Sequence, residues 1–233
     1  MASVSKTSNS FALLSLSDDL DDAVSKDITG VSEDLKARTH RGECGGDEGP
    51  SGLVSPIVWI DCEMTGLDPE RHQILQIAVL VTDGRLGRME VGPEITIHCS
   101  AEALDAMDEW CTTTHGRSGL SGAARASNVS LRQAEQAVLA FVKEHAHYRQ
   151  ANLAGNSVYV DFNFIRKYMP ELFDFFDHRL IDVSSIALLY RRWQTSSRRR
   201  KRLPKKGRHT AMSDIMESVE ELRFYRRNFF SLN

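Results

Sequence analysis

The chain has 233 residues, 41% hydrophobic and 26% charged, with a formal net charge of −3. That is the composition of a globular protein of one domain with an appendage. It excludes fibrous and Pro-rich chains, and no run approaches the roughly 18 apolar residues of a membrane span.

Four cysteines, Cys44, Cys62, Cys99 and Cys111, form no C-x-x-C pair. They are too few and too scattered for a disulfide scaffold or a structural zinc site, so the expectation is a reducing, intracellular protein. Charge is unevenly divided. Residues 1–55 carry 10 acidic and 5 basic side chains, while the remainder carries 22 and 24. Ser, Asp, Gly and Thr dominate residues 1–55, which read as a low-complexity, disordered tail. A mitochondrial presequence is Arg-rich and acid-poor, and a secretory signal has a long apolar core. This segment has neither feature. The expected location is cytoplasmic or mitochondrial, with the nucleus open because of a basic run described below, and the protein is not expected to be secreted.

The ordered domain is expected over 56–233. Ile57-Val58-Trp59-Ile60 is a buried strand, Gln73 to Thr82 a second, and Glu94 to His98 a third. Ala103 to Cys111 reads as a helix carrying Trp110. Leu131 to His145 places Leu131, Ala134, Val138, Phe141 and Val142 at helical spacing. Asn152-Leu153-Ala154 is a short strand running into Gly155. Phe162 to Met169 reads as a helix stopped by Pro170. Leu180 to Val183 is a fifth strand, Ser184 to Trp193 a helix, and Ala211 to Phe229 a final long amphipathic helix. Three strands followed by strands alternating with helices make a mixed five-stranded α/β sheet flanked by helices.

Three places carry chemistry. Asp61 and Glu63 lie two apart at a strand end, so both carboxylates emerge on one face. They repel unless a cation sits between them, and a hard divalent ion is the natural partner for oxygen ligands. A solvated strand end is the bland alternative. Asp161 stands where a helix opens, as a ligand or as an ordinary N-cap. His209 precedes the last helix and Asp214 lies one turn inside it. An acid there also suits the helix dipole, and a histidine titrating near neutrality suits a general base.

The order Asp-x-Glu, Asp, His-x4-Asp resembles the DEDDh exonucleases. Trp59 to Asp68, Thr114 to Leu120, Ala154 to Ser157, Lys167 to Pro170 and Ile181 to Ser184 are similar to oligoribonuclease. The resemblance covers about Ile57 to Phe230. It implies an RNase H-like fold, a homodimer, and 3′→5′ degradation of short single-stranded RNA to mononucleotides, with no membrane partner. It further implies that Asp61, Glu63, Asp161 and Asp214 hold two divalent cations, Mg²⁺ or Mn²⁺, with His209 as general base. Leu67 would wedge between bases, Trp110 would stack on one, and His115 and Ser157 would contact the substrate.

Three departures follow from the same resemblance. A family His-Tyr-Arg triplet that closes the 5′ end is here Asp177-His178-Arg179. Arg179 is kept to bind phosphate, His178 takes the tyrosine position as a further catalytic candidate, and Asp177 is expected to repel phosphate. Gln76 stands at a glutamate position, and Ser213 replaces an aspartate beside Asp214.

Within a loop expected over 195–208, Arg198 to Arg208 holds eight cations in eleven residues. It reads as an RNA-attracting rim, a nuclear signal or a solvated loop. Two alternatives to a short-RNA exonuclease stay open. One is the same chemistry on longer RNA or DNA, and the other a non-catalytic RNA-binding homologue.

Overall fold

The computed structural model describes residues 48–193 and 210–230. All of them lie in one of the two compact units into which the chain divides, Cys44–Asn233. Residues 1–47, the whole basic loop 195–208 with His209, and residues 231–233 lie outside the described residues.

Five strands form one sheet: β1 (Ile57–Met64), β2 (Ile74–Thr82), β3 (Met89–Thr96), β4 (Asn152–Gly155) and β5 (Leu180–Asp182). Their order is β3-β2-β1-β4-β5. β1, β2 and β3 run antiparallel, and β4 and β5 add on parallel to β1. The mixed sheet expected from the sequence is therefore present. β1 and β2 are covered on both faces, which is why they read as near-continuous apolar runs.

Eight helices are described: α1 (Ala101–Asp105), α2 (Glu109–Ser118), α3 (Leu120–Ala126), α4 (Leu131–His145), α5 (Tyr159–Tyr168), α6 (Pro170–Phe175), α7 (Val183–Trp193) and α8 (Ala211–Asn228). On one face Val58, Ile60, Val79 and Val81 pack with Val138 and Val142 of α4 and Phe164 and Ile165 of α5. On the other, Trp59, Ala78 and Leu80 pack with Tyr190 of α7 and Ile215, Val219 and Leu222 of α8. Trp59 Nε1 donates to Thr82 Oγ1 at 3.0 Å, so even the largest core side chain is satisfied. Among the described residues, no helix is long and apolar enough to cross a membrane.

Several boundaries differ from the sequence expectation. β3 begins at Met89 and runs through Gly92-Pro93. It is an edge strand, where a proline removes no needed donor, and the two residues bulge against Val79. The expected helix over Ala103 to Cys111 is two helices, because the Asp108 carboxylate caps a new start by accepting from Cys111 N at 2.8 Å. α5 begins three residues early, so Asp161 lies in its first turn and is not its cap. Finally, the tail boundary at 55 cuts through packed structure. Glu48 bridges to Val54, Gly49 N donates to Leu53 O at 2.8 Å, and Leu53 is fully buried in the core beneath α4.

Candidate active site

The site forms where β1 outruns β4. Their pairing stops at Trp59 with Ala154, and β4 then turns away at Gly155. Glycine suits this close approach, since a Cβ would stand a tight 3.1 Å from the Ile60 carbonyl. Past that point one edge of β1 is open. Asp61 and Glu63 lie on this stretch, facing α8. Asp214 enters the same space from the first turn of α8. Carboxylate oxygens of Asp61, Glu63 and Asp214 all lie within 4.8 Å of one another.

Asp161 reaches the cluster from α5. Its Oδ1 accepts the Cys62 backbone N–H at 2.9 Å, and the residue is 6% exposed. The charges acting on Asp61 are those of Asp161, Glu63 and Asp214, all acids. Burial, then these neighbours, hold the Asp61 carboxyl well above the usual range. Burial first, then Asp214, Asp161 and Glu94, push Glu63 up to about 7. Burial raises Asp161 to about 7 against the lowering effect of the Cys62 hydrogen bond. Packed acids with this much mutual repulsion and only oxygen donors fit a divalent cation.

The helix bearing Asp214 is set by its own first turn. Thr210 Oγ1 accepts from Ser213 N and Ser213 Oγ accepts from Thr210 N, each at 3.4 Å, a reciprocal capping box. Ser213 thus takes a structural role at the position that departs from the family. Glu94 of β3 accepts the Met212 N–H at 3.1 Å and ties the helix start to the sheet. Gln76 stands opposite Glu63 across the β1–β2 pair and turns its amide to Thr96 Oγ1 at 3.3 Å, adding no charge beside Glu63.

The remaining expected residues occupy different settings. His115, expected to contact the substrate, is 2% exposed. Its Nε2 donates to the Met64 carbonyl at 2.9 Å, and its Nδ1 faces Glu63 Oε2 at 3.9 Å. Burial lowers its pKa, so it stands as a neutral ring behind Glu63. Leu67 is half-buried on the loop that leaves β1, and Trp110 is 37% exposed in the first turn of α2. Ser157 follows Gly155 and holds a positive φ of 51°. Its N–H is shared by Asp182 Oδ1 and Ser184 Oγ, each 3.0 Å away.

Arg179 and His178 stand on the loop before β5. Both the Nε and a terminal nitrogen of Arg179 donate to Asp177, at 2.8 and 3.1 Å. Asp177, expected to repel phosphate, is thus held in a two-bond fork with Arg179. Hydrogen bonds from Arg179 hold the Asp177 carboxyl well below the usual range. His178 is exposed with its Nδ1 3.7 Å from Asp177.

Glu94 carries no mark in the sequence, and Asp182, Ser184, Lys167 and Tyr168 stand out there only as parts of motifs. Each acts on a residue distant in the chain, so no local spacing reveals it.

The five-stranded mixed sheet has an RNase H-like form and carries its acids at the C-terminal end of the central strand. Solved structures share the fold. Exonuclease I of Methylocaldum szegediense superposes with a TM-score of 0.54 at 16% identity, covering 76% of this chain. A zinc-bound exonuclease I–ssDNA complex from E. coli gives 0.55 at 12% identity, also over 76% of this chain. This chain spans 41% of each of those longer chains. The family model RNase_T, described as exonuclease, matches residues 58–222. An oligoribonuclease of Arabidopsis thaliana is 42% identical over 97% of this chain and 98% of its own length. An oligoribonuclease of Vibrio cholerae is 46% identical over 76% of this chain and 96% of its own. The chain belongs to the RNase_T exonuclease family and, within it, groups with the oligoribonucleases.

Proposed function

We infer that the protein removes nucleotides from the 3′ end of short single-stranded RNAs, dinucleotides to a few residues, and releases nucleoside 5′-monophosphates. The observation that carries this reading is the convergence of Asp61, Glu63 and Asp214 on one point, with Asp161 against the same strand.

Asp61, Glu63, Asp161 and Asp214 are the residues to hold two divalent cations, Mg²⁺ or Mn²⁺. Bound there, such ions supply Lewis-acid stabilisation of the attacking and leaving oxygens of an in-line displacement. The chain itself does the rest. His209 takes the proton from the attacking water. His115 sits behind Glu63 with its one ring N–H given to the Met64 carbonyl, and by the resemblance it contacts the substrate. Leu67 and Trp110 hold bases by apolar and stacking contact, which depends little on base identity. Ser157 meets the 5′ side, and Arg179 offers its guanidinium to phosphate. A second copy of the chain completes the working unit as a homodimer, as the family resemblance implies. Three described cysteines, Cys62, Cys99 and Cys111, are free thiols, which suits a reducing intracellular compartment.

The test is a Mg²⁺-dependent time course on 5′-labelled RNAs from two to about twenty nucleotides, run beside Asp214→Ala. The expected result is fast turnover of the dinucleotide, slow attack on the longest RNA, and none in the variant. Equal rates at all lengths would keep the chemistry and remove the short-substrate preference. Normal turnover by Asp214→Ala would remove the metal assignment.

A further inference from the structure

Helix α5 carries Asp161 at its beginning and Lys167-Tyr168 at its end. The far end has no part in the chemistry above, yet it is bound tightly to one loop. That loop, Thr65 to Gln73, leaves β1 two residues after Glu63 and bears Leu67. It is a built object. Its base is closed by Thr65 N to Gln73 O and by Gln73 N to Thr65 Oγ1, both 3.0 Å. Asp68 organises its tip, since its carbonyl accepts His72 N at 2.8 Å and its Oδ1 accepts Glu70 N at 2.9 Å. Gly66 lies against the His72 ring so closely that a Cβ would stand 2.6 Å from it.

Two carbonyls of this loop, Pro69 and His72, converge on a single hydroxyl. Tyr168 Oη lies 2.8 Å from the first and 2.7 Å from the second. Lys167 Nζ donates to the same Pro69 carbonyl at 2.7 Å and pairs with Glu70 at 3.0 Å. The phenol itself is fixed, being half-buried and stacked on fully buried Phe164. One helix therefore holds an acid of the metal cluster at one end and the Leu67 loop at the other.

We propose that Tyr168 is a positioning residue that sets the height of Leu67 above the acids and so tunes binding of the shortest substrates. This rests on the reading of Leu67 as a base contact. Among the described residues the hydroxyl meets the two loop carbonyls and Lys167, itself bound to that loop, so its effect belongs in substrate binding and not in metal binding or proton transfer. Tyr168→Phe removes the hydroxyl and keeps the ring on Phe164, so the fold survives.

The experiment is steady-state hydrolysis of the RNA dinucleotide pApA by the full chain, its Tyr168→Phe and Leu67→Ala variants and the double variant, with a Mg²⁺ titration of each. Tyr168→Phe should raise KM about three- to tenfold, the worth of one net hydrogen bond, with kcat and half-saturating Mg²⁺ unchanged. Leu67→Ala should also raise KM, and the double variant should add little to it, because the two act through one contact. An unchanged KM in Tyr168→Phe beside a raised KM in Leu67→Ala overturns the proposal alone. An unchanged KM in Leu67→Ala removes the base-contact reading and the proposal with it. A fall in kcat with a shifted Mg²⁺ response would place the effect in Asp161 and overturn it as well.

Discussion

The backbone N–H of Cys62 donates to the Asp161 carboxylate, 2.9 Å away and 99 positions later in the chain. The residue between the two acids of β1 thus holds the third. β1 has lost β4 as a partner by this point, so the Cys62 amide would otherwise be a buried donor with nothing to bond. Asp161 completes the strand edge and joins the acidic cluster with one side chain.

Two substitutions separate those duties. Asp161→Asn keeps an oxygen for Cys62 N and removes the charge. It should lower kcat by two orders of magnitude or more in saturating Mg²⁺, as loss of a metal ligand does, while denaturation stays near the parent. Asp161→Ala removes both duties and should also lose about 1–3 kcal/mol of stability for the orphaned donor. Paired kcat and urea-denaturation measurements check this. Full activity in Asp161→Asn would refute the ligand role.

The acids set a pH dependence with a definite sign. Glu63 and Asp161 are each raised to about 7, and Asp61 is raised well above its ordinary value. A carboxyl raised on folding binds its proton more tightly in the native state. Its stabilising contribution is complete below its unfolded pKa near 4 and is lost as pH rises through about 7. The melting temperature of metal-free protein should therefore fall between pH 5 and pH 8. Mg²⁺ competes with protons for the same oxygens, so it should raise the melting temperature more at pH 8 than at pH 5. Thermal scans at both pH values, with and without Mg²⁺, decide the point, and the reverse order would exclude the cluster as the cause.

Much of this was legible in the sequence because it is periodic or local. The apolar run of β2 and the helical spacing of Leu131 to His145 locate their elements to within a residue. The pairing of Asp61 with Glu63 follows from strand alternation alone. The arrival of Asp161 and Asp214 does not, because their meeting with β1 is made by topology. Only the resemblance of ordered motifs pointed there. Boundaries depart from the periodicity where a local signal competes with it: Asp108 starts a second helix, and Gly92-Pro93 is tolerated on an edge. Glu94, Asp182 and Tyr168 carry no local mark, since Glu94 meets its partner 118 positions away.

Asp177 offers a test of the altered 5′ end. Its carboxylate holds Arg179 by two side-chain bonds, so an incoming phosphate competes with Asp177 for the same fork. Asp177→Asn should weaken that hold and lower KM for 5′-phosphorylated dinucleotides by about two- to fivefold, the range of an exposed ion pair. Dinucleotides lacking the 5′ phosphate should show no change. A comparison of KM for the two substrates reads the effect directly, and an equal response from both would separate Asp177 from phosphate binding.

Leu53 decides where the folded domain begins. It is fully buried, and its carbonyl accepts Gly49 N in a turn whose glycine leaves no room beside the His145 carbonyl. Arg88 adds a bond to Gly52 O at 3.0 Å, and Gly84 N donates to Val54 O at 2.9 Å. Leu53→Ala should cost about 2–5 kcal/mol, as expected for a buried leucine. At about 2–4 °C per kcal/mol for a domain of this size, the melting temperature should drop by roughly 4–20 °C. A chain shortened to begin at Ser55 should lose at least as much, whereas one beginning at Cys44 should melt with the full-length protein. Equal melting of the Ser55 and Cys44 chains would show that this segment contributes no packing energy, and the domain would then begin at β1.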